Sequence, residues 1–371
     1  MSFERIKKNF GFGFMRLPQI GDELDMEQIT KMVDAFMAAG FNYFDTAHPY
    51  TEKRSEPTLR KTLVERYPRE SFVLTNKLSG NCFQTEEDIL PFFRMQLENC
   101  GVEYFDFYLM HALNANSFER YNACHAFEIV SGLKAEGKVR HMGISFHDKA
   151  EVLDHILTER PEIEVVQLQF NYLDYEDPSV QSRLCYEVCR KHGKKVIVME
   201  PVKGGRLAKM GADMCAPLTA LGGGSPASYA VRFAAGFEDI FMVLSGMSTL
   251  EMVEENCGFM ADYKPLNEVE MAAVDQVCAN IRAQHLIDCT GCRYCVEGCP
   301  VNIAIPTVFS CLNTQKQFAD WSAGYYYKIY TQNAGNPADC VGCGQCEEIC
   351  PQHLPIRELL QQAAEEFKNA D

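Results

Sequence analysis

The chain has 371 residues, 47% of them hydrophobic and 23% charged, a globular composition long enough for one large domain and a small one. Its 35 basic and 51 acidic residues leave a formal charge of −16 with no Lys/Arg-dense run, which argues against nucleic acid as a partner. No apolar run approaches the roughly 18 residues of a membrane span, and the opening MSFERIKKNFGFGF lacks a signal peptide's apolar stretch, so a cytoplasmic protein without a membrane partner is expected.

In chain order, residues 10–250 alternate strand-like and helix-like patterns, the mark of a parallel α/β architecture. Eight strands are predicted, at 10–17, 43–46, 72–77, 105–111, 141–146, 165–171, 195–201 and 240–246. Amphipathic stretches stand between most of them, among them 26–39, 86–100, 120–136 and 180–192. Eight βα units in about 250 residues is the size of a closed (β/α)8 TIM barrel. An open doubly wound sheet is the alternative, but no Gly-x-Gly-x-x-Gly opens a helix after an early strand; Gly11 and Gly13 fall on a predicted strand. The barrel is assigned to 1–265, a linker helix to 266–284, and a small, mostly α-helical domain to 285–371, with helices at 307–329 and 355–368.

Seventeen cysteines in a long chain without an export signal point away from a disulfide scaffold. Eight are scattered between Cys82 and Cys278 and read as small apolar residues; nine crowd between Cys289 and Cys350. Cys289, Cys292, Cys295 and Cys299, followed by Pro300, have the spacing C-x-x-C-x-x-C-x-x-x-C-P, and Cys340, Cys343, Cys346 and Cys350, followed by Pro351, repeat it. This resembles the bacterial ferredoxin spacing for 4Fe-4S clusters. A pair of structural zinc sites is the alternative, yet zinc needs only two cysteine pairs, and a third close cysteine plus a trailing Cys-Pro, twice, favours clusters.

In two-cluster ferredoxins the fourth cysteine ligates the other cluster. The resemblance therefore implies one set of Cys289, Cys292, Cys295 and Cys350, and another of Cys340, Cys343, Cys346 and Cys299. The long intervening segment is similar to the helical ferredoxin-like modules attached to redox enzymes. Cys311, Trp321, Tyr325, Tyr326 and Tyr327 fall within it and are expected to pack around the clusters.

In the barrel, polar groups stand at three predicted strand ends: Asp45 with Tyr50, then Lys77, then His111. The C-terminal ends of barrel strands face one mouth, so these four converge although distant in sequence. A free tyrosine gives up its proton only near pH ~10. A neighbouring ammonium favours its phenolate, and a carboxylate holds that ammonium in place.

Around these residues the chain resembles the aldo-keto reductase family, over residues 8–262. The matching text is GFGFMRLP from Gly11 to Pro18, Phe44 to Ala47 with Tyr50, Ser55 and Glu56, Leu74 to Lys77, Phe107 to His111, Gly143 to Ser145, Gln167, and Glu254 to Asn256. The resemblance implies that Tyr50 is the general acid, that Lys77 and Asp45 tune it, and that His111 orients a substrate carbonyl. It implies further that Ser145 and Gln167 hold a nicotinamide carboxamide, that Gly204, Gly205, Arg206 and Leu207 cradle the pyrophosphate, and that Gly246, Glu255 and Asn256 take the adenosine end. Phe146 and Met199 replace the family's usual Asn and its stacking aromatic. Gly246, Met247 and Met252 occupy the stretch that commonly carries basic residues for a 2′-phosphate, so NADPH and NADH both stand as expected cofactors.

Hydride chemistry moves two electrons together, whereas a 4Fe-4S cluster passes one. The expected function is an oxidoreductase acting on a small-molecule aldehyde, ketone or alcohol, with two clusters exchanging electrons with a redox protein partner or an additional cofactor such as a flavin. The alternatives are a nicotinamide-dependent carbonyl reductase with purely structural clusters, a flavin-mediated ferredoxin-linked reductase, and a non-catalytic electron-transfer protein. Intact Asp45, Tyr50, Lys77 and His111 weigh against the last.

Overall fold

The computed structural model describes residues 3–178, 180–284, 286–318, 321–332 and 334–368. Eight parallel strands close into a barrel in chain order: β1 (Phe10–Gly13), β2 (Tyr43–Asp45), β3 (Val73–Ser79), β4 (Phe105–Leu113), β5 (Val139–Phe146), β6 (Val165–Gln169), β7 (Lys195–Met199) and β8 (Ile240–Gly246). Gly13 pairs with Gly246 on one side and with Asp45 on the other, which closes the ring. All eight predicted strands are present. The first is shorter than predicted: it leaves the sheet after Gly13, ahead of Pro18, which has no N–H to give a ladder, and a small hairpin of Gln19–Ile20 and Glu23–Leu24 follows.

These strands are buried along nearly their whole length because helices cover the outside and side chains fill the inside, so they read as continuous apolar runs. Tyr43, Val73, Phe107, Leu109, Val165, Ile197, Met242 and Leu244 form one internal cluster, against which Phe3 and Ile6 pack. Gly143 sets how closely β5 and β6 approach: a Cβ there would lie 2.4 Å from Val165 Cγ2 and 2.5 Å from its carbonyl oxygen.

The predicted 120–136 helix is two helices, Ala115–Ala123 and Ala126–Ala135. Asn114 caps the first, its side chain accepting from the Ser117 N–H. The break falls at His125, whose φ of 49° lies in the left-handed region. Apolar spacing continues across the break, which hides it in the sequence.

By packing, the described chain forms two compact units. The first takes the described residues of Met1–Asp177, Gln181–Val202 and Ala227–Glu270; the second takes those of Pro178–Val180, Lys203–Pro226 and Met271–Asp371. The core of the second contains Ile303, Ile305, Phe309, Leu312, Tyr327 and Leu360, with the Tyr327 and Phe367 rings stacked at 4.5 Å. The predicted 307–329 helix is two, Ile305–Phe318 and Trp321–Gln332. On the second, Ala323 and Tyr327 share the buried face at i,i+4 spacing, so Tyr325 and Tyr326 turn outward, 52% and 49% exposed, rather than packing inside. Cys311 is buried, and the Trp321 side chain lies outside those described. Among the described residues no helix is long and apolar enough to cross a membrane.

Charge at the N-terminal ends of the strands is structural. Asp106 accepts from Arg5, Arg69 and the Leu74 N–H, and Glu164 accepts from Lys134, His141 and the Met142 N–H. Burial alone would raise Glu164, but hydrogen bonds from His141, Lys134 and Met142 bring it from 4.5 down to about 2. A carboxyl depressed by folding stabilises the fold above its unfolded value and loses that contribution as pH falls through the folded value. Unfolding measured between pH 7 and pH 2 should therefore show Glu164's contribution vanish from about pH 4.5 downward. Glu164→Gln should remove that part of the acid dependence and lower stability at neutral pH by on the order of 1–3 kcal/mol.

Candidate active site and cysteine centres

Strand register brings the predicted polar residues to one end of the barrel. Asp45 pairs with Thr75, Ser79 with His111, and Ser145 with Gln167. Lys77 is fully buried; its Nζ donates to Asp45 Oδ1 at 2.6 Å and to the Thr46 carbonyl at 2.9 Å, and stands 4.9 Å from the centroid of the Tyr50 ring. The Tyr50 ring meets His111 edge-on at 5.8 Å. Asp45, Tyr50, Lys77 and His111 are thus neighbours.

Burial pushes Lys77 down against the pull of Asp45, and pushes Asp45 up against Lys77 and Gln167. Burial first, then the positive fields of Lys77 and His147, push His111 well below 6.5, which favours the neutral imidazole. Its Nδ1 lies 2.8 Å from Ser79 Oγ. With Ser79 donating to Nδ1, the ring proton sits on Nε2, the tautomer that donates to a carbonyl oxygen. The Tyr121 hydroxyl, 2.6 Å from the Leu78 carbonyl and 3.0 Å from that of His111, ties the ends of β3 and β4 together.

Glu56 was not assigned a role from the sequence, yet it anchors this end of the barrel. Its carboxylate is fully buried, accepting from Asn76 at 2.8 Å, Gln96 at 2.9 Å and Asn99 at 3.0 Å, and lies 2.9 Å from His48 Nδ1. Burial would raise it, but the hydrogen bonds from His48, Asn76 and Asn99 win and hold it below 4.5. Gln96 also reaches the Lys77 carbonyl at 3.0 Å, and Asn76 Oδ1 accepts from the Lys77 N–H at 2.8 Å. The network thereby fixes the backbone that carries Lys77.

Of the residues assigned to a nucleotide, Ser145 Oγ accepts from the Ala112 N–H at 2.8 Å, and Gln167 Nε2 points to Asp45 Oδ2 at 3.4 Å. Both lie in the barrel unit, as do Gly246, Glu255, which is exposed, and Asn256, which donates to Ser245 Oγ at 3.4 Å. Arg16, which carried no sequence assignment, lies over Gly246: a Cβ on that glycine would come within 3.3 Å of its side chain. Gly204, Gly205, Arg206 and Leu207 belong to the second unit, where Arg206 pairs with Asp288 at 2.6 Å.

The two cysteine motifs share one backbone design. Gly291 and Arg293 in the first, and Gly342 and Gly344 in the second, have positive φ at equivalent positions, as do Asn302 and His353 beyond the Cys-Pro. Such alternation turns successive N–H groups inward, the arrangement of anion nests and iron-sulfur sites. Short helices, Tyr294–Glu297 and Gln345–Glu348, follow each loop.

Cys289, Cys292, Cys295 and Cys350 line one cavity, with the fourth contributed by the other motif. Burial first, then repulsion from Cys292, Cys289 and Cys350, pushes the Cys295 thiol strongly up. Burial, then Glu347, Cys340 and Cys343, push Cys346 to about 11. Cys299 lies in the same apolar core, its sulfur accepting from the Ile303 N–H at 3.4 Å. Among the described residues no three His, Cys, Asp or Glu side chains are placed to hold a single metal ion. Four thiols lining one cavity are the donor set that a 4Fe-4S cluster takes.

The family model for the aldo/keto reductase family matches residues 9–279, and that for the 4Fe-4S dicluster domain matches residues 288–354. The 9,11-endoperoxide prostaglandin H2 reductase of Trypanosoma cruzi is 26% identical over 276 residues, covering 71% of this chain and 88% of that protein. L-galactose dehydrogenase of Arabidopsis thaliana is 25% identical over 288 residues, covering 70% and 88%. In fold, the chain is similar to an aldo-keto reductase from Klebsiella pneumoniae solved in complex with NADPH, with a TM-score of 0.59 at 19% identity over 72% of this chain and 90% of that one. A holo aldo-keto reductase from Bacillus halodurans gives 0.59 at 22% identity over 72% and 91%. The chain belongs to the aldo/keto reductase family, as an oxidoreductase that carries a 4Fe-4S dicluster domain after its barrel.

Proposed function

We propose that the barrel interconverts a small aldehyde or ketone and its alcohol using a nicotinamide dinucleotide, with Tyr50 as the proton donor. The observation that carries this reading is the buried Lys77 ammonium, held by Asp45 and the Thr46 carbonyl over the Tyr50 ring, with His111 in a T-shaped contact with the same ring. A bound nicotinamide supplies the hydride or takes it up. Tyr50 gives its phenolic proton to the carbonyl oxygen as negative charge develops there, and the Lys77 ammonium stabilises the phenolate left behind. His111 Nε2–H donates to the same oxygen and orients it. Ser145 and Gln167, adjacent in register beside Asp45, suit a carboxamide, which needs one donor and one acceptor.

In the second unit, Cys289, Cys292, Cys295 and Cys350 hold one 4Fe-4S cluster, and Cys340, Cys343, Cys346 and Cys299 the other. Bound clusters supply one-electron transfer, and a redox protein partner exchanges those electrons. The duplicated spacing, the matching left-handed positions and the shared cavity support this reading.

Anaerobically purified protein should reduce a carbonyl substrate at the expense of NADPH or NADH. Tyr50→Phe keeps the ring but removes the acid, so kcat should fall roughly 10²- to 10⁴-fold. Lys77→Met should be similarly damaging, because it also leaves Asp45 buried without its cation. Full activity in Tyr50→Phe would refute the proton-transfer assignment. Turnover that survives removal of the clusters would make them structural.

Iron and sulfide analysis should give about eight of each per chain. Cys292→Ser should lower that content, whereas Cys189→Ser, at a thiol that burial pushes far up within the helix Ser182–Lys191, should leave it unchanged. Stoichiometric zinc without iron would overturn the cluster assignment.

A further inference from the structure

Within the second unit, residues 203–206 make three contacts with the segments that carry Cys289 and Cys350. Lys203 Nζ donates to Gln352 Oε1 at 2.9 Å, with lysine and glutamine only 2% and 6% exposed. Gly204 lies so close to Thr290 that a Cβ would stand 2.4 Å from its carbonyl oxygen. Arg206 Nη1 donates to Asp288 Oδ1 at 2.6 Å and to the Ile287 carbonyl at 3.3 Å. Thr290 and Gln352 line the same cavity as Cys289, Cys292, Cys295 and Cys350. The loop therefore grips, from outside, two of the cavity's non-cysteine walls, one next to Cys289 and one just beyond Cys350.

Its backbone is shaped for this. Lys203, Gly204 and Gly205 have φ values of 45°, 64° and 94° in succession. A lysine in the left-handed region carries strain, which persists where surroundings over-determine the conformation. The Gln352 bond and the close approach to Thr290 provide that fixation.

We infer that residues 203–206 are the outer wall of the first cluster's cavity, and that Lys203 is a positioning residue setting that cluster's stability and reduction potential. The inference rests on the assignment of the eight motif cysteines to two 4Fe-4S clusters. Reduction adds one electron, and so one negative charge, to a cluster. A buried ammonium one side chain away favours the reduced form, and the low-dielectric surroundings magnify the effect. The three contacts fall on the segments around Cys289 and Cys350, so the effect is assigned to the first cluster.

The test is anaerobic full-length protein, titrated with dithionite as the one-electron reductant and followed by electron paramagnetic resonance, with iron analysis. The signal lost or altered in Cys292→Ser identifies the first cluster. Lys203→Gln should move the midpoint potential of that signal to more negative values and leave the other in place, with iron content retained. Gly204→Ala, which forces a methyl group into the Thr290 carbonyl, should cost about half the iron, taken from the same cluster. Arg206→Gln, a milder change at a partly exposed pair, should increase iron loss from that cluster on dilution, even if the other variants fail to fold. Unchanged iron and unchanged potentials in the folded variants, or equal changes at both clusters, would overturn the inference. Wild-type protein with no iron would instead overturn the cluster assignment beneath it.

Discussion

Lys77 and Asp45 withdraw two full charges from water, and each makes the other tolerable: a lone buried ammonium or carboxylate costs far more than the pair. The 2.6 Å contact exists only while β2 and β3 keep their register, with Asp45 against Thr75. A slip of one residue would turn the Lys77 side chain to the opposite face. Much of the neighbouring polar structure serves that register. Glu56 gathers Asn76, Gln96 and Asn99; Thr46 and Ser55 share a 2.7 Å hydrogen bond; and Tyr121 ties Leu78 to His111. Their burial costs little because each group has found a partner, and the result is a rigid seat for one ammonium.

Charge is used differently at the two ends of the barrel. At the N-terminal ends of the strands, Asp106 and Glu164 collect cations and backbone N–H groups, which ties neighbouring strands together. At the C-terminal ends the charge is one buried pair, Lys77 and Asp45, with the Tyr50 ring and a His111 whose charged form burial disfavours beside it. The cysteine-rich unit follows a third logic. Cys295 and Cys346 are part of its apolar core, where burial first and then the neighbouring thiols of each motif disfavour their ionisation, a cost that bound cluster iron would offset.

The barrel was legible because parallel strands covered on both faces appear as short apolar runs, and the register then gathers the strand ends without further information. The cysteine repeat was legible for a different reason: spacing so dense is local, and Gly291, Gly342 and Gly344 advertise their positive φ. Arg293, at the position equivalent to Gly344, does not. Helix breaks were invisible where the apolar period runs through them, as at His125. Glu56 escaped because its partners Asn76, Gln96 and Asn99 come from other elements, and a carboxylate in an amphipathic stretch looks like a solvated one. Its signal in the sequence was only its place beside Ser55 in the family's text.

Residues 203–207 mark the point where local pattern and tertiary contact part. Two glycines, a lysine and an arginine following a barrel strand have the composition of an anion cradle, and resemblance assigns Gly204, Gly205, Arg206 and Leu207 to a pyrophosphate. Yet Arg206 is paired with Asp288, Lys203 is bonded to Gln352, and Gly204 is pressed against Thr290. These partners are 82 and 149 residues away for Arg206 and Lys203, a separation no local periodicity encodes. An anion bound at this loop would have to share Arg206 with a carboxylate 2.6 Å from it, and the pull on Arg206 would act on Asp288, the residue immediately before Cys289. The same bonds that hold the segments around Cys289 and Cys350 therefore hold the loop.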